Sequence, residues 1–272
     1  MSALALPFAG LTPQAPDALL ALIAQFGNDQ RLDKIDLGVG VFRDKAGATP
    51  VLRAVKAAEG LIHKCQTTKR YLGGEGDVRF TQLLAELVLG DSLSASRRLS
   101  GVQTPGGTGA LRLGAELIAR GKPGGAVWLG TPTWPNHAPV FAAVGLNVRW
   151  HRFFDVASRE LDFTGMMADL AQTRPGDVLL LHGCCHNPTG VAFLASQWEG
   201  IAALCEERGL LPFIDLAYQG LGDGMEADAT PTRKMLERLP GALVAYSCDK
   251  NFGLYRERVG ALWHWSPDGD TA

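Results

Sequence analysis

Four short stretches of this 272-residue chain carry residues suited to chemistry on a small bound molecule. Thr104-Pro105-Gly106-Gly107-Thr108-Gly109 stands between an apolar run and a helical pattern. A glycine-rich turn of this kind presents backbone N–H groups and the positive end of a helix to an anion, and Thr108 adds a hydroxyl. The same residues also fit a plain turn with Thr108 as N-cap. Gly183-Cys-Cys-His-Asn-Pro-Thr-Gly190 contains a turn-forming Asn187-Pro188 dipeptide, which leaves the Asn187 amide free for a ligand. Asp215 ends an apolar run, with Tyr218 three residues on. A carboxylate there needs a cationic partner or strong hydrogen bonds, so it reads either as a structural ion pair or as the counter-ion of a protonated heterocycle. Ser247-Cys-Asp-Lys-Asn-Phe-Gly-Leu-Tyr-Arg-Glu-Arg258 places Lys250 just after another apolar run. A lysine near other cations or in an apolar site becomes a nucleophilic amine; elsewhere it is a solvated charge.

Taken together, these are the parts that pyridoxal phosphate requires: a lysine for a Schiff base, a carboxylate at the pyridinium nitrogen, and donors for the phosphate. Other chemistries fit less well. The glycine loop lacks Gly-Lys-Ser/Thr, so it is no Walker loop. Arg112 stands where a dinucleotide fingerprint needs its third glycine, which argues against a nicotinamide oxidoreductase. Cys184 and Cys185 are adjacent, whereas zinc cysteines are usually spaced by two or more residues, so no metal is expected. Both cysteines read as packing residues, and His137 and His186 as structural, with no partner identifiable.

The elements that must position these residues alternate along the chain. Helical patterns run over Asp17–Phe26, Pro50–Thr68 and Val78–Leu89, with an extended, glycine-broken segment at 35–42. Short apolar strands follow at Val102–Thr104, Gly125–Leu129, Val148–His151, Val178–His182, Leu211–Asp215, Leu243–Ser247 and Val259–Trp265. Helices are expected between them at 108–119, 134–144, 164–172 and 196–208. Alternation of this kind implies an α/β fold with a mainly parallel sheet and helices on both faces, and a site off the carboxyl ends of the strands.

Composition bounds the rest. Hydrophobic residues make up 46% and charged residues 20%, which excludes disorder. A net charge of −2 offers no basic field for nucleic acid. No apolar run is long enough for a membrane span, and the start has no basic segment of a signal peptide. Five cysteines, an odd number, suit reduced thiols and a cytoplasmic location.

Seven stretches resemble the aspartate/aromatic-amino-acid aminotransferase family, the class I pyridoxal-phosphate-dependent aminotransferases. They are IDLGVGVFRDKAGATPVLRAVKAAE, KRYLGGEGDVRF, QTPGGTGALRLGAE, TPTWPNHAPVF, HGCCHNPTGV, FIDLAYQGLGDG and SCDKNFGLYRERVGAL, in family order from about residue 8 to the end. The resemblance implies a fold-type I large domain over 48–272, with 1–47 as an N-terminal arm and part of a small domain. It implies transamination between an aspartate or aromatic amino acid and a 2-oxoacid such as 2-oxoglutarate. Lys250 would hold the cofactor as an aldimine and then move the substrate proton. Asp215 would keep the ring nitrogen protonated, and Asn187 and Tyr218 would bond the ring oxygen. Trp134 would stack on the ring. Gly107, Thr108, Ser247 and Arg258 would hold the phosphate, joined by Tyr71 from the partner of a homodimer. Gly40, Trp134 and Asn187 would lie beside the substrate. The Asn187-Pro188 and Thr131-Pro132 bonds would be cis.

Two departures from the family pattern stand out. Asp249 replaces a small hydroxylic residue just before the lysine, which is expected to weaken phosphate binding modestly unless it pairs with a cation. The chain also stops 22 residues after Lys250. Family chains continue for about a hundred residues or more beyond this point, on the scale of a small domain. The resemblance therefore implies a truncated chain with an incomplete small domain, exposed apolar surface, and no arginines for the substrate carboxylates. An inactive cofactor-binding fragment, and a lyase on the same fold, are the alternatives.

Overall fold

A computed structural model describes residues 18–36, 38 and 40–269. Asp17 at the start of the first expected helix, and Leu37 and Val39 of the glycine-broken segment, lie outside the described residues. The chain divides into two compact units, Met1–Thr49 and Pro50–Ala272. The first holds helix α1 (Ala18–Asn28). The Lys34 ammonium donates to the carbonyls of Phe26 and Asp29.

The second unit begins with helices α2 (Arg53–Cys65), α3 (Val78–Leu89) and α4 (Asp91–Ser94). Strand β1 (Leu99–Thr104) leads into α5 (Gly106–Gly121), and β2 (Ala126–Thr131) into α6 (His137–Ala142). Strand β3 (Asn147–Arg152) is followed by a small hairpin, β4 (Phe154–Asp155) with β5 (Glu160–Leu161), and by α7 (Phe163–Leu170). Then come β6 (Val178–His182), α8 (Ala195–Arg208), β7 (Leu211–Leu216), α9 (Met225–Arg238), β8 (Ala242–Ser247) and β9 (Gly260–Trp265).

Seven strands form one sheet in the order β1-β9-β8-β7-β6-β2-β3. Five of them, β8 to β3 in that order, pair in parallel, and β9 is antiparallel to both its neighbours. Alternating residues divide the core in two. Leu179, Leu181, Ile214, Leu216, Val244 and Tyr246 face α3, α7, α8 and α9. Leu180, Phe213, Leu243 and Ala245 face α5 and α6. Burial on both faces explains why these strands read as unbroken apolar runs. On the second face an apolar cleft of about 880 Å³ stays open between α5 and the sheet, lined by Leu113, Leu117, Leu243 and Leu262. No helix among the described residues is long and apolar enough to cross a membrane.

The short helix α4 and the β4–β5 hairpin are not expected from the sequence, and two longer elements also differ from it. Helix α6 is shorter than 134–144, because Pro135 pushes Trp134 out of helical geometry. Helix α9 escapes the pattern because its exposed face is charged and Pro231 lies inside it. Its buried face runs Asp228, Ala229, Thr232, Met235 and Leu236, a helical spacing. The Asp228 carboxylate accepts the N–H groups of Gly220, Gly222 and Asp223, at 2.8–3.0 Å, and so ties the loop after β7 to this helix. Replacing Asp228 by Ala leaves three donors without their acceptor. We expect a loss of about 2 kcal/mol of stability in urea unfolding; an unchanged midpoint would contradict this.

Candidate active site

The carboxyl ends of β1, β6, β7 and β8 open into one cavity of about 150 Å³. Parallel pairing puts His182 opposite Asp215 at the ends of β6 and β7, and Ser247 ends β8 on the same side. The cavity is lined by Gly107, Thr108, Trp134, Asn187, Asp215, Tyr218, Ser247, Asp249, Lys250 and Arg258 among others. It therefore gathers every cofactor position expected from the sequence in this unit except Tyr71, whose side chain is fully exposed in the single chain. Gly40 belongs to the other unit.

At one end of the cavity the Asp215 carboxylate is buried. Burial alone would raise its pKa, yet it is held below the ordinary carboxylate value by the hydrogen bond and charge of His137, with His182 and Lys250 adding to the effect. The Nε2 of His137 lies 3.1 Å from Asp215 Oδ2, and Thr133 Oγ1 lies 2.8 Å from Nδ1. An ionised carboxylate must accept, so Nε2 donates to Asp215, and the Thr133 hydroxyl meets the other ring nitrogen and fixes the ring's orientation. His137 thus has a definite partner and acts as the residue that orients Asp215. It was unreadable as such in the sequence, because 78 positions separate the two residues. Trp134 meets the His137 ring edge-on at 5.2 Å.

Two further histidines lie near Asp215, their rings tilted against each other. His182 and His186 have ring centroids 4.2 Å apart, and His186 lies against Phe153 at 4.0 Å. Thr189 Oγ1 is 2.9 Å from His186 Nδ1, while the buried His182 Nε2 has no hydrogen-bond partner among the described residues. Burial pushes His182 down to about 4. Burial, and then the neighbouring histidines, push His186 down to about 2. Both are neutral at pH 7. Unfolded histidines titrate near 6.5, so between pH 6.5 and 4 the unfolded chain binds more protons than the folded one. Stability therefore rises with pH in that window and is lost on acidification. We expect a fall of about 2 kcal/mol between pH 7 and pH 5.5, read from urea midpoints; a flat profile would show that the pair is charged or exposed.

The middle of the cavity holds the amine and the hydroxyl groups. Lys250 Nζ stands over the Tyr218 ring, 5.3 Å from its centroid. Asn187 Nδ2 donates to Tyr218 Oη at 3.2 Å. Burial raises the Tyr218 phenol, so it keeps its hydrogen and can donate into the cavity. The peptide bonds Asn187-Pro188 and Thr131-Pro132 are both cis, as expected.

The opposite end is built from glycines and donors. Helix α5 begins at Gly106, so Thr108 sits in its first turn instead of capping it. Gly106 has φ +73°, and a Cβ there would fall 2.7 Å from Arg258 Nη2. A Cβ on Gly107 would lie 3.0 Å from the Cβ of Ser247. The two glycines let Arg258 and Ser247 close on the start of the helix, where free N–H groups and the helix dipole favour an anion.

One end thus offers a buried anion to a cationic ring, and the other offers donors to an anionic tail, with a primary amine between them. These residues fit pyridoxal phosphate. The larger apolar cleft has no comparable set, its titratable lining residues being Glu75, Lys122 and His264. The Cys184–Cys185–Asp228 cluster is a poor metal site: burial raises the Cys184 thiol, and the Asp228 oxygens already accept three N–H bonds.

The chain is similar to known proteins along most of its length. The family profile "Aminotransferase class I and II" matches residues 32–266. The chain is 53% identical over 256 residues to a tyrosine aminotransferase of Rhizobium meliloti (strain 1021), covering 94% of this chain and 65% of that protein. It therefore spans about two thirds of the length of such relatives. A solved aromatic amino acid aminotransferase with 3-indolebutyric acid superposes with a TM-score of 0.94 at 50% identity, over 97% of this chain and 67% of that one. The aromatic-amino-acid aminotransferase of Burkholderia pseudomallei, described as covalently bound to pyridoxal phosphate, gives a TM-score of 0.94 at 36% identity, over 98% and 67% of the two chains. On sequence and on fold alike, the chain belongs to the class I aminotransferases.

Proposed function

We propose that this chain forms the cofactor-binding part of a cytoplasmic, homodimeric, pyridoxal-phosphate-dependent aminotransferase. Its substrates are an aromatic amino acid or aspartate, with a 2-oxoacid such as 2-oxoglutarate as acceptor. The observation that carries this reading is one cavity lined by Lys250 and by the His137-oriented Asp215, with the Gly106–Gly107 cradle at its far end. The division of labour follows the sequence: 48–272 as the large domain, and 1–47 as an arm with part of the small domain.

When bound, pyridoxal phosphate supplies an aldehyde carbon that takes up amines and a ring that accepts electrons. The chain's residues do the rest. The Lys250 amine would hold the cofactor and, once freed by the substrate amine, would take a proton from the substrate Cα as general base and deliver it as general acid to the cofactor's aldehyde carbon. Asp215, kept ionised by His137, would hold the proton on the ring nitrogen. Asn187 and Tyr218 would donate to the ring oxygen, and Trp134 would cover a ring face. Gly107, Thr108, Ser247 and Arg258 bind the phosphate, with Tyr71 of a second copy completing that end.

Mixing the chain with pyridoxal phosphate and tyrosine tests the reading. The expected result is one equivalent of the 2-oxo acid of tyrosine per site, and on adding 2-oxoglutarate, glutamate. Cofactor uptake with no oxo acid would show that this chain binds the cofactor without carrying the half-reaction; ammonia release would overturn the aminotransferase reading in favour of a lyase.

A further inference from the structure

The anion end of the cavity holds a carboxylate of its own. Asp249 lies two residues past the end of β8, is buried, and lines the cavity beside Lys250. Its Oδ2 accepts from Arg258 Nη1 at 2.5 Å. Its Oδ1 is buried with no hydrogen-bond partner among the described residues. Arg258 Nη1 also donates to the Tyr255 carbonyl at 3.2 Å, and the guanidinium rests against Gly106. Ser247 Oγ accepts from the Asp249 N–H at 3.2 Å, which leaves its hydroxyl hydrogen to donate.

The guanidinium that would grip an incoming phosphate is therefore already engaged by a carboxylate. A dianion arriving here has two options. It can pull Arg258 away, which leaves Asp249 buried with neither oxygen paired, or it can settle beside the carboxylate. Arg258 is half-exposed but Asp249 is buried, so the cost falls on the carboxylate left without its partner, and like charges at close range repel. Neither cost falls on a ligand without the anionic tail. A neutral hydroxymethyl group can instead donate its hydrogen to the unpartnered Oδ1.

We propose that Asp249 is a specificity-determining residue that competes with the cofactor's phosphate for Arg258, so that this site separates pyridoxal phosphate from unphosphorylated pyridoxal only weakly. The inference rests on the reading of the cavity as a pyridoxal phosphate site. It goes beyond that reading by assigning how strongly the phosphate end selects its ligand.

Dissociation constants for the two ligands, measured separately by absorbance on the unsubstituted chain, Asp249→Ser and Asp249→Asn, test it without recourse to turnover. Asp249→Ser is expected to tighten pyridoxal phosphate by about tenfold or more while moving pyridoxal by about twofold or less. Asp249→Asn keeps the side-chain volume and removes the charge; it is expected to shift the ratio in the same direction and carries the test where the serine variant folds poorly. Equal ratios of the two constants in all three proteins would overturn the proposal and leave the cofactor reading standing. Uptake of neither ligand by any of the three would overturn both.

Discussion

Replacing Lys250 by Ala abolishes covalent uptake of pyridoxal phosphate and lowers amino-group transfer by about four orders of magnitude or more. The size follows from two roles resting on one amine: covalent attachment and movement of the substrate proton. General acid–base catalysis alone is worth about 10²–10⁴-fold. The geometry leaves no substitute, since Lys250 is the one lysine lining the cavity among the described residues. Lys250→Arg separates charge from chemistry. It preserves a cation over Tyr218, and its guanidinium keeps its proton, so it too should fail to attach the cofactor. Retention of attachment in either variant, shown by an unchanged mass shift after borohydride reduction, would mean that another amine does this work.

Replacing Asp215 by Ala is the second large effect. Attachment at Lys250 should persist, because the amine is untouched. Transfer should fall by about 10³-fold, the scale of losing a buried group aimed at charge that develops during reaction. The carboxylate is worth this much because it is held ionised while buried, and His137 is the group that holds it. Asp215→Glu should recover part of the loss, since it restores the charge at an altered distance. His137→Ala should lose less than Asp215→Ala, as it removes the orienting bond and leaves the carboxylate. Equal losses in turnover for the two Ala variants would show that position, and not charge, is what Asp215 supplies.

Much of this site was legible in the sequence, for a physical reason. In a parallel sheet each strand ends on the same side, so residues that directly follow apolar runs converge even when far apart in the chain. Asp215, Lys250 and the glycine loop all carry that signature. The Val178–His182 strand and the Val78–Leu89 helix appear at their expected bounds because their apolar patterns are uninterrupted. What was hidden depends on long-range pairing. His137 sits on a short helix between two prolines, and nothing local marks it as Asp215's partner. Asp249 was recognisable as out of place, but only the fold shows that it takes Arg258. Helix α9 was obscured by its charged face and its internal proline, although Asp228 inside it organises the loop that follows Asp215 and Tyr218.

Lys250 is the lysine placed to hold the cofactor in this cavity. Pyridoxal phosphate can be added, the mixture reduced with borohydride and digested, and the modified residue located by mass spectrometry. The expected result is a single pyridoxyl label on the peptide carrying Lys250, removed when tyrosine is added before reduction. A label spread over exposed lysines such as Lys56 or Lys69, or none at all, would contradict it.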